Sequence, residues 1–344
     1  MSPDRAGIPQ FLDALTRRVR RLMSSQRNAP ATDEGLSGFD AASYLAANPD
    51  VAAAVKSGQF ASASQHYALF GRYENRKLGP ANQQAAPPNL TATKASKLAA
   101  IEPLLRQDLP SIRTQSLFDF LSEDLRTAFD IIDTAAVSSN EYDGHVLDLI
   151  SRHANGWVLD CGAGKRSTYY PNVVNFEIVA YDSTDVRGVG EVLPFVDNAF
   201  DAAISIAVLE HVKDPFRCAS ELTRVLKPGG ELICCVPFLQ PYHGYPHHYY
   251  NMTHQGLRNL FAQHVHVDRI EVYASVLPIW SLAWIVSSWA DGLDGKTRKD
   301  FLNMRLEDFL QPPVSFLSAP FVTELPAAKN LELASACVLF GRKM

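Results

Sequence analysis

The sequence predicts an α/β fold in which a parallel sheet is covered by helices on both faces, with a small all-α module ahead of it. Three observations carry this. Trp157 to Gly164 reads WVLDCGAG, an apolar run that ends in an acid and is followed by two glycines flanking one small residue, the pattern of a buried strand entering a tight loop. Downstream, short apolar runs alternate with helical patterns and end in a fully apolar strand, as in sheets buried on both faces. Upstream, Phe39 to Lys77 shows only short helical patterns.

The whole chain sets bounds. Its 344 residues suggest about two domains. Hydrophobic residues at 47% and charged residues at 20% describe an ordinary globular protein. A net charge of −5 excludes the strong basic excess of a dedicated nucleic-acid binder. Five cysteines form no CxxC pair, and Cys234 and Cys235 adjoin within an apolar run, so reduced, buried thiols in a cytoplasmic protein are expected. The basic N-terminal stretch lacks the apolar core and cleavage site of a signal peptide. Val272 to Ala290 carries no charge but contains Pro278 and four serines, so it reads as a buried strand and a buried helix rather than a membrane span.

Taken in order, residues 1–38 comprise an amphipathic helix and a linker. From Gln10 to Arg27, Phe11, Leu12, Leu15, Val19, Leu22 and Met23 recur at helical spacing. Arg17, Arg18, Arg20 and Arg21 occupy its polar face, which suits a solvated docking helix or an anionic membrane surface. Residues 39–77 form the helical module, where Asn48-Pro49-Asp50 marks a turn and a helix start. His66 and Tyr67 are expected to pack within it. Residues 78–93, LGPANQQAAPPNLTAT, are a linker, and 94–344 a second domain.

Lys94 to Ala136 reads as helices broken at Pro110, with Leu117, Phe118, Phe120, Leu121, Leu125 and Phe129 facing the sheet. Ser139 to Gly144 is a polar loop before a helix from His145 to Ala154, and Tyr142 there either closes over a ligand or lies on the surface. After the glycine loop comes a second strand, Val173 to Phe176, ending at Glu177. An acid at that place, about 20 residues past a glycine loop, suits ribose hydroxyls. Asp182 competes for the role, but VVNFE gives Glu177 an uninterrupted strand. Further strands are expected at Asp185 to Val189, Ala202 to Ile206 and Leu232 to Val236. A helix from Pro215 to Leu226 carries Phe216, Ala219, Leu222, Val225 and Leu226 on one face, and Pro228-Gly229-Gly230 ends it.

VLDCGAG, the acid ending strand two, LPF followed by FDAAIS, LEHV, and LKPGGELICCVPF resemble, in that order, the class I S-adenosylmethionine-dependent methyltransferases over a core of 144–261. The resemblance implies a Rossmann-like, seven-stranded sheet whose last two strands, Val265 to Ser275 and Ala334 to Phe340, form an antiparallel hairpin around an aromatic insertion at 276–329. It implies S-adenosyl-L-methionine as cofactor. Asp160, Gly162, Ala163 and Gly164 would meet its amino-acid end, Glu177 its ribose, and Gly190 and Glu191 the adenine edge. Leu193 would cover the adenine face, and Ser205 joins the cofactor-binding set. Two positions depart from the pattern: Val189 stands where an acid is common, and Lys165 replaces a third glycine. A dehydrogenase fingerprint fails at Ser167 and a phosphate loop at Leu159 and Arg166.

His211 in LEHV is the expected general base, because imidazole titrates near neutrality and the loop after that strand faces the reactive end of the site. His243, His247 and His248, with Tyr242, Tyr249 and Tyr250, follow the next strand and suit a polyhydroxyl acceptor, with His243 a second catalytic candidate. No metal is expected, since the segment contains no carboxylate and no standard zinc spacing. The pairing of VPFLQPYHGYPHHYYNMT with LEHV resembles a branch linked to polysaccharide biosynthesis. The module at 39–77 resembles one found beside glycosyltransferases, through YLxxNPDVAxAV and GRxExR. Together these imply O-methylation of a saccharide or cell-surface glycan, in the cytoplasm or peripherally at the inner membrane face, with glycosyltransferase contact through the N-terminal region. The alternatives are a lipid, quinone or small aromatic acceptor, or a non-catalytic cofactor-binding scaffold in glycan assembly.

Overall fold

The computed structural model describes residues 41–56, 60–67, 90–132, 141–244 and 246–343. The amphipathic helix expected at Gln10 to Arg27 and most of the 78–93 linker lie outside them. The chain divides into two compact units, Met1–Pro87 and Pro88–Met344.

In the first unit, helices α1 (Ala41–Ala47), α2 (Pro49–Lys56) and α3 (Ala63–His66) pack around Tyr44, Val51 and Ala63. Pro49 opens α2, with Asp50 in its first turn and Lys56 in its last, each complementing the helix dipole. The motif residues serve packing. Buried Tyr44 places its hydroxyl 3.0 Å from His66 Nδ1, and Asn48 Nδ2 donates to the Tyr44 carbonyl at 2.8 Å.

The second unit begins with α4 (Leu90–Ile101) and holds a seven-stranded sheet. Its strands are β1 (Ile112–Arg113), β2 (Phe118–Asp119), β3 (Val158–Cys161), β4 (Val173–Glu177), β5 (Val186–Arg187), β6 (Phe200–Ile206) and β7 (Leu226–Cys235). The order is β1-β2-β5-β4-β3-β6-β7, and every neighbouring pair is parallel except β1 with β2. Strand period sorts the core onto two faces. Leu159, Val174 and Ala203 face Cys218, Ala219, Leu222 and Val225 of α7 (Pro215–Val225). Val158, Val173, Ala202 and Ile204 face Val146, Leu149 and Ile150 of α6 (Gly144–Arg152). Phe216, expected on the buried face of α7, is 60% exposed instead.

Two of the seven strands come from an unexpected place. The segments 265–275 and 334–340 contain no strand, and Val338, Leu339 and Phe340 are exposed. β1 and β2 complete the sheet from the stretch read as helical. Thr114 closes their hairpin by bonding Leu117 through backbone and hydroxyl, and Phe118 N–H and Phe120 N–H donate to Asp185 and Arg187 carbonyls at 3.0 and 2.9 Å. Leu117, Phe118, Phe120 and Leu121 are all buried, so the run has lost the alternation that marks a strand and mimics helical spacing. Among the described residues of that stretch, only α5 (Glu123–Ala128) is helical beyond it.

Pro228-Gly229-Gly230 acts inside β7 rather than as a helix stop. Phe200 pairs with Leu226 and Ala202 with Glu231, so Lys227 to Gly230 bulge opposite Asp201. Gly229 has φ +78°, which suits glycine. Asp201 holds the bulge, accepting from Trp157 N–H at 2.9 Å and Lys227 Nζ at 2.8 Å.

After α8 (His254–Phe261), Ala274–Val276 is a single 3₁₀ turn where a buried strand was expected. The following α9 (Pro278–Asp291) is not a buried helix: Ile279, Trp280, Leu282 and Val286 are exposed, and only Ser288 and Ala290 are buried. No helix among the described residues is long and apolar enough to cross a membrane. α10 (Gly295–Asn303), α11 (Pro320–Thr323) and α12 (Ala327–Glu332) complete the insertion. Its aromatic residues build a local core around Leu293, Phe301 and Leu325, where Trp289 Nε1 donates to the Phe321 carbonyl at 2.8 Å.

Candidate active site

The site starts where β3 ends. Gly162 and Gly164 have φ +81° and +62°, the left-handed region in which a side chain is strained. A Cβ on Gly162 would stand 2.3 Å from Val208 Cγ2, so the glycine loop presses directly on the loop that follows β6. Gly162 and Ala163 N–H groups both donate to the Phe176 carbonyl of β4, at 2.9 and 3.0 Å.

The two acids expected at the site are both buried and both preorganised. Glu177 accepts from Gly164 N–H at 2.7 Å and from Ile178 N–H at 2.7 Å. Burial pushes its carboxyl above the ordinary value, against those two donors. Asp182, the competitor, is exposed. Asp160 Oδ2 accepts from the Tyr142 hydroxyl at 2.5 Å and from Arg166 Nε and Nη2 at 2.9 and 2.6 Å. Burial raises its carboxyl too, and Arg166 opposes the shift. Tyr142 is therefore not a surface residue, since it is buried and donates to Asp160. The Arg166 guanidinium also lies 4.1 Å over the Tyr142 ring.

α4 supports the loop after β4 with two lysines. Lys94 Nζ donates to the Asp182 and Thr184 carbonyls at 2.7 and 2.6 Å. Lys97 Nζ pairs with Asp185 Oδ2 at 2.6 Å, both side chains buried. Nothing in the sequence pattern of Leu90–Ile101 pointed to this, because both lysines sit on an otherwise ordinary helix.

The GEVLPF residues are structural in their contacts. A Cβ on Gly190 would stand 2.7 Å from Cys218 Sγ, so this glycine allows α7 to pack closely. Glu191 Oε1 accepts from Lys213 and Asp214 N–H at 3.1 and 3.4 Å, just ahead of α7. Leu193 is fully buried in the core and its N–H donates to Glu221 at 2.8 Å. Val189 is buried as well. Ser205, in β6, is fully buried with its hydroxyl lacking a hydrogen-bond partner.

The loop after β6 brings the chemistry. Ala207 adopts φ +55°, a strained value for a residue with a side chain, and from there the chain turns through Val208, Leu209, Glu210 and His211. Backbone N–H groups of Tyr249 and Tyr250 donate to the Glu210 carbonyl at 2.7 and 3.3 Å, which docks the histidine loop onto this turn. His211 Nδ1 donates to the His247 carbonyl at 2.6 Å, and His243 Nδ1 to the Pro241 carbonyl at 2.8 Å. A carbonyl can only accept, so both rings carry their proton on Nδ1 and keep an Nε2 lone pair. The rings meet edge to face at 5.2 Å between centroids. His243 N–H donates to His248 Nδ1 at 3.2 Å, and His248 Nε2 donates to Asn251 at 2.9 Å. Burial lowers the imidazoles of His211 and His243, that of His243 to about 4.

Glu210 is the residue that the sequence reading passed over. It is fully buried, both carboxylate oxygens lack a hydrogen-bond partner, and burial raises its carboxyl to about 8. Its Oε1 lies 3.8 Å from His211 Nε2. The signal was LEHV itself, where the acid precedes the histidine, but sequence does not show that the acid is buried and unpaired. The carboxylate missing from the histidine segment thus arrives from another loop.

Residues 160–234 match the family described as "Methyltransferase domain". An uncharacterized methyltransferase of Mycobacterium leprae is 32% identical over 115 residues, 32% of this chain and 39% of that protein. Another, from Mycobacterium sp. strain JLS, is 40% identical over 70 residues, 20% of this chain and 27% of that protein. The chain thus spans well under two thirds of the length of these curated relatives. Among solved structures, the YcgJ protein of Bacillus subtilis is similar at 22% identity and a TM-score of 0.28, over 35% of this chain and 67% of that one. The matched stretch runs from the acid of the glycine loop, through the Glu210–His211 turn, into β7, so this part of the chain is similar to a methyltransferase domain.

Proposed function

We propose that this protein transfers a methyl group from S-adenosyl-L-methionine to a hydroxyl oxygen of a saccharide or cell-surface glycan intermediate. The observation that carries the reading is the pair of imidazole Nε2 lone pairs of His211, on the turn whose Val208 touches the glycine loop, and of His243, on the loop after β7 that docks onto that turn. The cradle beside them suits the cofactor: left-handed glycines allow close backbone approach, and buried Asp160 and Glu177 offer negative charge to an ammonium and to ribose hydroxyls. When bound, the cofactor supplies an electrophilic methyl group on a sulfonium.

The chain's own part is alignment and proton removal. Methyl transfer is an in-line displacement, so holding the acceptor oxygen in place supplies much of the acceleration. His211 Nε2 takes the hydroxyl proton, its ring oriented by the His247 carbonyl. Tyr242 stacked on His248 and Trp284 beside His243 give flat apolar walls of the kind that sugar rings pack against. The N-terminal unit and the arginines of Gln10 to Arg27 would dock the enzyme to a glycosyltransferase or an anionic membrane face.

Titration calorimetry with S-adenosylmethionine and S-adenosylhomocysteine tests the reading, and folded protein giving heat with neither would sink it. Glu177→Ala is expected to weaken cofactor binding. His211→Ala is expected to leave cofactor affinity nearly unchanged and to slow turnover about 10² to 10⁴-fold. A variant with full activity would remove the base role. The exposed Ile279, Trp280, Leu282 and Val286 favour a second reading, an apolar acceptor such as a lipid or quinone. Radiolabelled methyl transfer into glycan or lipid fractions separates the two, and binding without transfer to either marks a scaffold.

A further inference from the structure

We propose that Glu210, His211 and His243 form a binding site for one divalent first-row transition-metal cation. One carboxylate oxygen and one nitrogen of each imidazole lie within 4.8 Å of one another. That is close enough for three ligands to converge on a single ion after small side-chain adjustment.

Two independent features point to a ligand rather than to chance proximity. The first is the orphaned carboxylate. Glu210 is fully buried and neither oxygen has a hydrogen-bond partner. Burying such a group without a partner is costly, and a protonated carboxyl would still leave its acceptor oxygen unsatisfied. A cation satisfies it.

The second is the way the imidazoles are held. Each donates Nδ1–H to a backbone carbonyl, His247 for one and Pro241 for the other, which fixes tautomer and ring direction and leaves Nε2 as the donor atom. Metal-binding histidines are supported in this way through their second nitrogen. His248 adds rigidity, since it accepts the His243 N–H and is itself tied to Asn251.

The donor set selects the metal class. Two imidazoles and one carboxylate suit manganese through zinc, whereas calcium and magnesium favour all-oxygen shells. Three protein ligands leave coordination positions open for water or for an acceptor oxygen. In the cation-loaded protein His211 Nε2 is a ligand, and the base role given to it above applies to the cation-free protein. The inference does not depend on the methyl-transfer reading, because it concerns only what these three side chains bind.

The test uses the full chain, stripped with chelator and checked for folding by circular dichroism. Zn²⁺ and Mn²⁺ are titrated by calorimetry, and Co²⁺ is followed by its visible absorption. One equivalent of cation is expected to bind, with Glu210→Gln and His243→Gln each weakening affinity at least about tenfold and erasing the cobalt spectrum. His266→Ala, at an exposed histidine beside Asp268, is expected to change nothing and reports adventitious surface binding. If Glu210→Gln fails to fold, His243→Gln and His211→Gln carry the comparison. Folded protein that binds no cation, or variants that bind as well as wild type, would overturn the proposal. S-adenosylhomocysteine is titrated into the same samples, so that loss of cofactor heat sinks the proposed function and loss of cation binding sinks only this site.

Discussion

Gly162 shows how much one residue carries. Its φ of +81° costs a side chain about 1–2 kcal/mol, and a Cβ would collide with Val208 at 2.3 Å. Overpacking of that kind adds about 1–3 kcal/mol. Gly162→Ala is therefore expected to lower the unfolding free energy by about 2–5 kcal/mol in urea titration, and Val208→Ala in the same chain to recover the packing part but not the backbone part. Asp160 is bound by a different constraint. Arg166→Ala leaves its charge buried without its partner, with an expected cost of about 3–5 kcal/mol, read from the same titrations. Both glycine and acid could be named from WVLDCGAG. Their partners could not, because Val208 and Tyr142 reach them only through the fold.

At the scale of elements, strands delimited by apolar runs and turn residues were readable, and the two-residue strands β1 and β2 were not. β3, β4, β6 and α7 form where apolar runs, glycines and Pro215 delimit them, since these signals act within a few residues. β1 and β2 are two residues each, and β2 exists because β5 offers it carbonyls. The bulge in β7 is also a pairing property. Asp201→Ala removes the acceptor for Trp157 N–H and Lys227, and should cost about 1–3 kcal/mol in thermal or urea unfolding. This region also has a pH signature. Burial alone would push Asp201 up, but Lys227 and Trp157 N–H outweigh it and hold it below its ordinary 3.8. Glu231 is held below 4.5 by Arg152 and His153. Depressed carboxyls stabilise fully above their unfolded values and lose that contribution as pH falls through the lower folded ones. The contribution of these two carboxyls is thus flat above about pH 5 and lost on further acidification, so the acid-side fall in melting temperature should be smaller in Asp201→Asn than in wild type.

For the whole molecule, the cores of the two units share no residue among those described: Tyr44, Val51 and Ala63 pack together, and the sheet core draws on residues from Leu98 onward. A chain beginning at Pro88 is therefore expected to fold alone and to bind S-adenosylhomocysteine with the affinity of the full protein. Failure to fold would show that the N-terminal unit is needed for the sheet. The order of glycine loop, Glu177, LEHV and KPGG was determined by the sequence alone, because turn chemistry and apolar periodicity depend on near neighbours. So was the likeness of residues 160–234 to a methyltransferase domain. Only the tertiary structure decided that Glu210 is buried without a partner, that His243 comes to stand beside His211, and that residues 112–119 rather than the C-terminal stretch complete the sheet. Burial, orphaned charge and strand pairing are relations between residues distant in sequence, and they exist only once the chain has closed on itself.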